Sequence, residues 1–406
     1  MVTIRGGDGC RDDTSRIQRA LDSRCAHVYL APPERHYLIS RPLRIHSNQT
    51  LEADRSTVVR LAPGSDCLML RNADPEHGDD RITVIGGIWD MDNENQSLAE
   101  YQRTRDWHGE YDPDRYLGVL LRMDRVRNLC LRGLTLRNPV TFGTQLGNLE
   151  QFAIEGITFD YNLARTNMDG IHIHGNSRCG RISSIQGTTN DDLVALNADD
   201  GGIYEMSRGP IEDVLVDGLF SQDGYTAVRL LSAGSPVRRV RIANVFGTYR
   251  YNAVSLTNHQ VHPGADSTFD DISISGLTCA KSTMGMDVDP KAPGWPGHAL
   301  VWVDAPARVS CLSISDFHRT EAAWPTENIA IMPGAEVTSL QLANVSVLNR
   351  TPCAIHALTN RGTIGHLSLS NVSAMAGPGC PRGLSVCNDG GIGEIGDHGG
   401  LGACDE

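Results

Sequence analysis

A short alternating stretch, a small or polar residue, then an apolar one: this pattern recurs along most of the chain. It appears as NLCLRGLTL, QFAIEGITF, EDVLVDGLF, RRVRIANVF, DDISISGLT, SCLSISDFH, TSLQLANVS and GHLSLSNVS, with a degenerate copy, GRISSIQG. The central slot holds Gly133, Gly156, Ser184, Gly218, Asn244, Gly276, Asp316, Asn344 and Asn371. Gly, Asn and Asp tolerate left-handed backbone, so the slot has a steric reason. A second alternating segment follows in most repeats: DGIHIHG, DDLVALN, TAVRLLS, NAVSLTN, ALVWVDA, NIAIMPG and CAIHALT. Strict alternation marks strands, and no helical period intervenes.

Slot-to-slot separations run from 23 to 40 residues, too uneven for propeller blades. Two-residue hairpin turns, which a sandwich needs, do not join the segments. The expected fold is therefore all-β: a parallel β-helix whose coils bury their apolar faces only by stacking. DDTSRIQRALDS (12–23) places Ile17 and Leu21 at i, i+4 behind capping residues, which predicts a short helix covering the first coil's open edge. One elongated domain over 1–406 is expected, with no linker. Two segments stand apart. The polar 89–115 stretch carries Trp89, Tyr101, Trp107 and Tyr111, which suits either a cleft wall stacking on sugars or a disordered insertion. Residues 380–406 read as a Gly/Cys-rich tail.

Composition narrows the function. The 406 residues include 42 Gly and only 5% aromatics, and the net charge is −13. That balance disfavours a nucleic-acid or anionic-membrane partner, since both require a basic footprint. An acidic polymer could be held only through a local cluster of Arg or Lys. No apolar run is long enough to span a bilayer. The N-terminus lacks signal-peptide features, so the expectation is an intracellular protein, or a secreted or periplasmic one whose leader was removed. The 11 Cys are scattered without metal-ligand spacing, and most are expected to be small core residues, with one bridge conceivable among Cys380, Cys387 and Cys404.

Aligning the second strands brings candidate chemistry together. Asp169 precedes IHIH, Asp191 and Asp192 precede LVAL, Tyr225 and Thr226 precede AVRL, and Asn252 precedes AVSL. Neighbouring strands lie about 4.8 Å apart, so Asp169 should stand close to Asp191 and Asp192. Crowded carboxylates repel, which raises at least one pKa and suits paired acid and base roles. The alternative is that they merely tie strand ends.

NMDG at 167–170 followed by DD at 191–192 resembles the NTD…DD signature of the polygalacturonases, glycoside hydrolase family 28. LCLRGLTLRNPVTFGTQLGNLEQFAIEGITF is similar to that family's coil entering an Asn-Ser-Pro turn, here Asn138-Pro139. GGDGCRDDTSRIQRALD resembles the N-terminal cap of the wider pectate-lyase-like superfamily. The likeness covers roughly residues 5–260. It implies a single-stranded right-handed β-helix that hydrolyses an α-linked glycan with inversion. Asp192 would be the general acid, with Asp169 and Asp191 holding and deprotonating the water.

The departures are specific. The family's Gly-His-Gly falls at Tyr225-Thr226-Ala227, and its Arg-Ile-Lys at Ser255-Leu256-Thr257. The histidine and both substrate-gripping cations are thus missing. Arg229, in register with Ser255, is the candidate replacement. A neutral or differently charged α-glycan is the expected substrate. Asn167, His172, Tyr225, Arg229, Asn252, His259 and Trp107 are the candidate sugar contacts. His172 and His174 alternate on one strand, with His259 and His262 as further imidazoles. Zinc catalysis needs three convergent ligands and an open position, so no metal and no cofactor are assigned. NADD (197–200) is read as a polar turn rather than a calcium site. Competing readings are a polysaccharide lyase, which requires a Lys or Arg base, and a non-catalytic glycan-binding module.

Overall fold

The computed structural model describes residues 1–99, 112–200, 206, 208–258, 265–284 and 298–397. The chain is a right-handed parallel β-helix. Two compact units make it up, Met1–Val214 and Leu215–Glu406. The division falls within the strand Ile211–Gly224.

In the first unit, six strands form one parallel sheet: Leu43–Ile45, Leu70–Asn72, Leu121–Asp124, Thr144–Gly147, Ile171–His174 and Asp192–Ala198. The expected helix forms over Thr14–Asp22 and buries Ile17 and Leu21 completely. Its N-terminus is held differently from expectation. Asp13 makes no capping bond; instead Asp12 accepts from the Thr14 N–H at 2.8 Å. Gln18 exchanges two hydrogen bonds with the backbone of Arg44, at 2.8 and 3.1 Å. The helix thus satisfies an edge strand that would otherwise present bare amides.

In the second unit the corresponding strands are Thr226–Ser232, Val254–Thr257, Val301–Val303, Ile329–Ile331, Leu358–Asn360 and Val386–Asn388. Two boundaries differ from the sequence reading. Of CAIHALT only the last two residues, Leu358 and Thr359, lie in the strand Leu358–Asn360, whose Leu358 pairs with Ile329. Residues 386–388 and 391–397 complete a further coil, so the segment from 380 is not simply a tail.

All nine slot residues have positive φ, from 53° to 74°. Asparagines also stack there: Asn344 donates to Asp316, and Asn371 to Asn344, each at 3.0 Å. Behind the slot runs an aliphatic column, Ile242, Ile274, Ile314, Leu342 and Leu369, in register from strand to strand and buried. Each such side chain contributes about 1.5–3 kcal/mol only once its neighbours cover it, which is why coils stabilise as a stack.

Two expectations are corrected. Trp89 is not on a cleft wall: it lies in the strand Ile88–Asp90, fully buried, with its indole N–H on the Gly86 carbonyl at 3.2 Å. Of the ten described cysteines, all free, only Cys279 is buried. Cys130 shows why, since the alternation of its strand turns it outward between buried Leu129 and Leu131. Cys404, Tyr101, Trp107, Tyr111, His259 and His262 lie outside the described residues. Among those described, no helix is long and apolar enough to cross a membrane.

Candidate functional site

The NMDG turn is shaped by its own residues. Asn167 sits in left-handed backbone, φ 56°, a conformation asparagine tolerates. Gly170 is required for space: a Cβ there would meet the Leu193 carbonyl at 2.4 Å and the Phe159 ring at 2.5 Å. The ladder continues through it, with the Gly170 N–H donating to the Asp192 carbonyl at 2.8 Å. Extending the register Ile171↔Val194 back two positions sets Asp169 opposite Asp192 on the next coil. Asp191 is tied into the same corner by Asn167, whose amide donates to it at 3.3 Å. Asn167 therefore positions a carboxylate, whatever else it touches.

Asp169 and Asp192 are almost fully buried, while Asp191 keeps some surface. The charge among them is met by His172, which the sequence places beside the acids as a sugar contact or as a group that tunes them. Its Nδ1 lies 2.7 Å from Asp169 Oδ2, and its Nε2 lies 3.4 Å from Asp200 Oδ2. Burial alone would push this imidazole down, but hydrogen bonds to Asp169 and Asp200, and their charges, raise it to about 10. His172 is a buried imidazole held between two carboxylates, which favour its protonated form. Phe142 stacks on its ring at 4.5 Å, nearly parallel, and belongs to a small buried cluster with Ala99, Leu117, Val119 and Met206.

His174 takes the opposite state. Burial and the neighbouring His172 charge push it down to about 3, and Gln145 bonds its Nε2 at 3.2 Å. NADD is only half a turn: Asn197 and Ala198 end the strand Asp192–Ala198, Asp199 is left-handed, and Asn197 donates to Asp200 at 2.8 Å. That turn delivers Asp200 to His172, a role without a signal in the sequence, because the two meet only between adjacent coils. Among the described residues no group of His, Cys, Asp and Glu is arranged to hold a metal.

The remaining candidates belong to the second unit. Arg229 is in register with Ser255, as expected, and its Nε reaches the Thr257 hydroxyl at 3.4 Å. Tyr225 stacks on Tyr251 at 4.9 Å and lies under Arg250. Asn252 is fully buried and donates to the Ala299 carbonyl at 2.6 Å. It ties two coils together and has no face left for a sugar.

No protein-family model matches this chain, and no curated protein does. Solved structures do. The family 28 exopolygalacturonase of Yersinia enterocolitica is 15% identical with a TM-score of 0.60, over 96% of this chain and 78% of that one. The chain shares the parallel β-helix fold of this structure. PfbA, a surface adhesin of Streptococcus pneumoniae, is 12% identical with a TM-score of 0.58, over 96% and 91% of the two chains. The mannuronan C-5 epimerase AlgE6 A-module of Azotobacter vinelandii is 11% identical with a TM-score of 0.54, over 97% of each. A hydrolase, an adhesin and an epimerase share the fold, so the fold does not choose among them.

Proposed function

We propose that this polygalacturonase-like β-helix is a glycoside hydrolase that cleaves an α-linked polysaccharide or an oligosaccharide derived from one. The observation that carries this reading is the pairing of Asp169 with Asp192 on adjacent coils, with Asp191 tethered beside them. Asp192 acts as general acid on the glycosidic oxygen. Asp191, the member with surface, holds and deprotonates the water together with Asp169. His172 fixes Asp169 in place through its Nδ1, 2.7 Å from Asp169 Oδ2. Inversion of the anomeric centre follows the resemblance to family 28. Strand spacing by itself, about 4.8 Å, lies nearer the roughly 5–5.5 Å of retaining enzymes than the roughly 6.5–9.5 Å of inverting ones. Because two of the three acids are buried, a chain end presented at Asp191 suits the site better than an internal linkage.

The test is a screen of α-linked polysaccharides and aryl α-glycosides, with Asp192→Asn as control. Loss of the acid should cost about 10²–10⁴-fold in rate, and the first-formed anomer reports the stereochemistry. Full activity in Asp192→Asn would refute the assignment. Products with an unsaturated, ultraviolet-absorbing sugar would point to a lyase instead. A non-catalytic glycan-binding module is favoured by one observation, the buried pairing of Asp169 with His172. Glycan binding without any sugar release would establish that reading.

A further inference from the structure

Residues 112–115 form a turn that rests on a row of arginines. Asp112-Pro113-Asp114-Arg115 closes on itself, with Asp112 Oδ1 accepting from the Asp114 N–H at 2.9 Å and its carbonyl from the Arg115 N–H at 3.2 Å. Asp first and Pro second are the residues such a turn favours. Beneath it, Arg44, Arg71 and Arg122 are register partners on three consecutive strands. Arg71 grips Asp114 with a two-pronged fork, Nε to Oδ1 at 2.6 Å and a terminal nitrogen to Oδ2 at 3.1 Å. Arg44 reaches the same Oδ2 at 3.1 Å. Arg122 donates to the carbonyls of Asp112 and Pro113 at 3.1 Å each, and to Gln145 at 2.9 Å.

The row does not end there. Arg122 is opposite Gln145, and Gln145 is opposite His172. Arg71 is thus three strand spacings, on the order of 14 Å, from the imidazole that holds Asp169. That span is a few sugar units along the same face.

We propose that Arg44 and Arg71 form a carboxylate-binding subsite for an acidic sugar, and that the Asp114 carboxylate occupies this subsite until substrate displaces it. The inference rests on reading Asp169, Asp191 and Asp192 as a glycan-cleaving site. A planar guanidinium fork matches the two oxygens of a carboxylate, and this chain has built that fork with a residue only 5% exposed. Two guanidinium groups share the single Asp114 carboxylate, and the Arg44 side chain is 51% exposed, which leaves a way in. Exchange of one carboxylate for another strands no buried charge, so only the turn has to move. The cations absent from Ser255 and Thr257 are replaced on coils at the other end of the same unit as the acids. An internal carboxylate competes at high effective concentration, so the unaltered protein binds the acidic sugar weakly.

The test is calorimetric titration of the full chain, in the Asp192→Asn background so that nothing is consumed. The probes are oligogalacturonate, oligomannuronate, and methyl-esterified oligogalacturonate of equal length. Asp114→Ala should raise affinity for an acidic oligomer at least tenfold and leave the ester unchanged, and adding Arg44→Gln should abolish the gain. Arg44 is half-exposed, so this variant keeps the test open if Arg71→Gln fails to fold. The proposal is overturned if Asp114→Ala affects acid and ester alike, affects neither, or gains affinity that survives Arg44→Gln. The two readings fail separately. Acid-selective binding, together with an unaltered protein that hydrolyses nothing in the glycan screen, sinks the hydrolase and keeps the subsite. Hydrolysis with no acid selectivity does the reverse.

Discussion

His172 Nδ1 sits 2.7 Å from Asp169 Oδ2, and each side chain is at most 5% exposed. A buried ion pair of this kind is costly to break, because removing one partner leaves the other charge unpaired in a dry site. His172→Leu should therefore destabilise the protein by about 3–5 kcal/mol at neutral pH. Chemical denaturation of the variant checks this, and Asp169→Asn should be milder, since the amide still accepts a hydrogen bond.

The same pair predicts a pH signature. The imidazole is raised from 6.5 to about 10 in the folded state. Between those values the folded chain holds a proton that the unfolded chain has lost. The stabilisation is fully present below about 6.5 and fades as pH rises to about 10. The stability gap between the unaltered protein and His172→Gln should shrink across that window. A gap that is flat from pH 6 to 10 would mean the imidazole is neutral.

Lys281 predicts the opposite slope. It is buried in the second unit beside the ion pair of Arg319 and Glu321, 2.6 Å apart, and its ammonium donates to the carbonyls of Tyr251 and His298. Burial, with repulsion from Arg319, lowers it from 10.5 to about 7. Here the unfolded chain binds the extra proton, so stability rises as pH climbs from about 7 towards 10.5. Lys281→Met should gain most on the unaltered protein below pH 7, and that advantage should decline as pH increases. Melting curves of the two variants over one pH series separate the two contributions.

Gly170→Ala tests whether the corner holding Asp169 and Asp192 depends on close packing. Its Cβ would press on the Leu193 carbonyl and the Phe159 ring. Overpacking of this kind costs about 1–3 kcal/mol. Since the turn also carries Asp169, glycan turnover should fall more than the stability loss alone would explain. Normal activity and an unchanged Tm would show that the corner yields easily.

The left-handed slot makes a contrast between two substitutions at Asn344, φ 55°. Asn344→Gly should be tolerated apart from its lost bonds to Asp316 and Asn371, whereas Asn344→Val should cost about 1–3 kcal/mol. Equal melting temperatures for the two would remove the steric explanation of the slot.

Much of the architecture was legible because it is local and repeated. Alternation identified both strand sets, and the slot residues announced the turns, since a left-handed backbone is refused by most side chains. The register followed from the same alternation: His172 beside Ala195, and Arg229 beside Ser255. Trp89 was misread because a lone aromatic in a polar stretch carries no period, although its Ile88–Asp90 strand buries it.

What the sequence could not supply was which side chains fold over the outward face. Asp200 reaches His172 from the adjacent coil, and Asp114 reaches Arg71 from a turn forty-three residues later in the chain. The repeat determines strand neighbours, because backbone hydrogen bonding enforces one spacing throughout. The loops obey no such rule, and their partners are chosen by charge and by the space left on the coil face. The tertiary structure alone therefore decided that His172 is buried between two carboxylates, and that an aspartate already occupies the arginine fork.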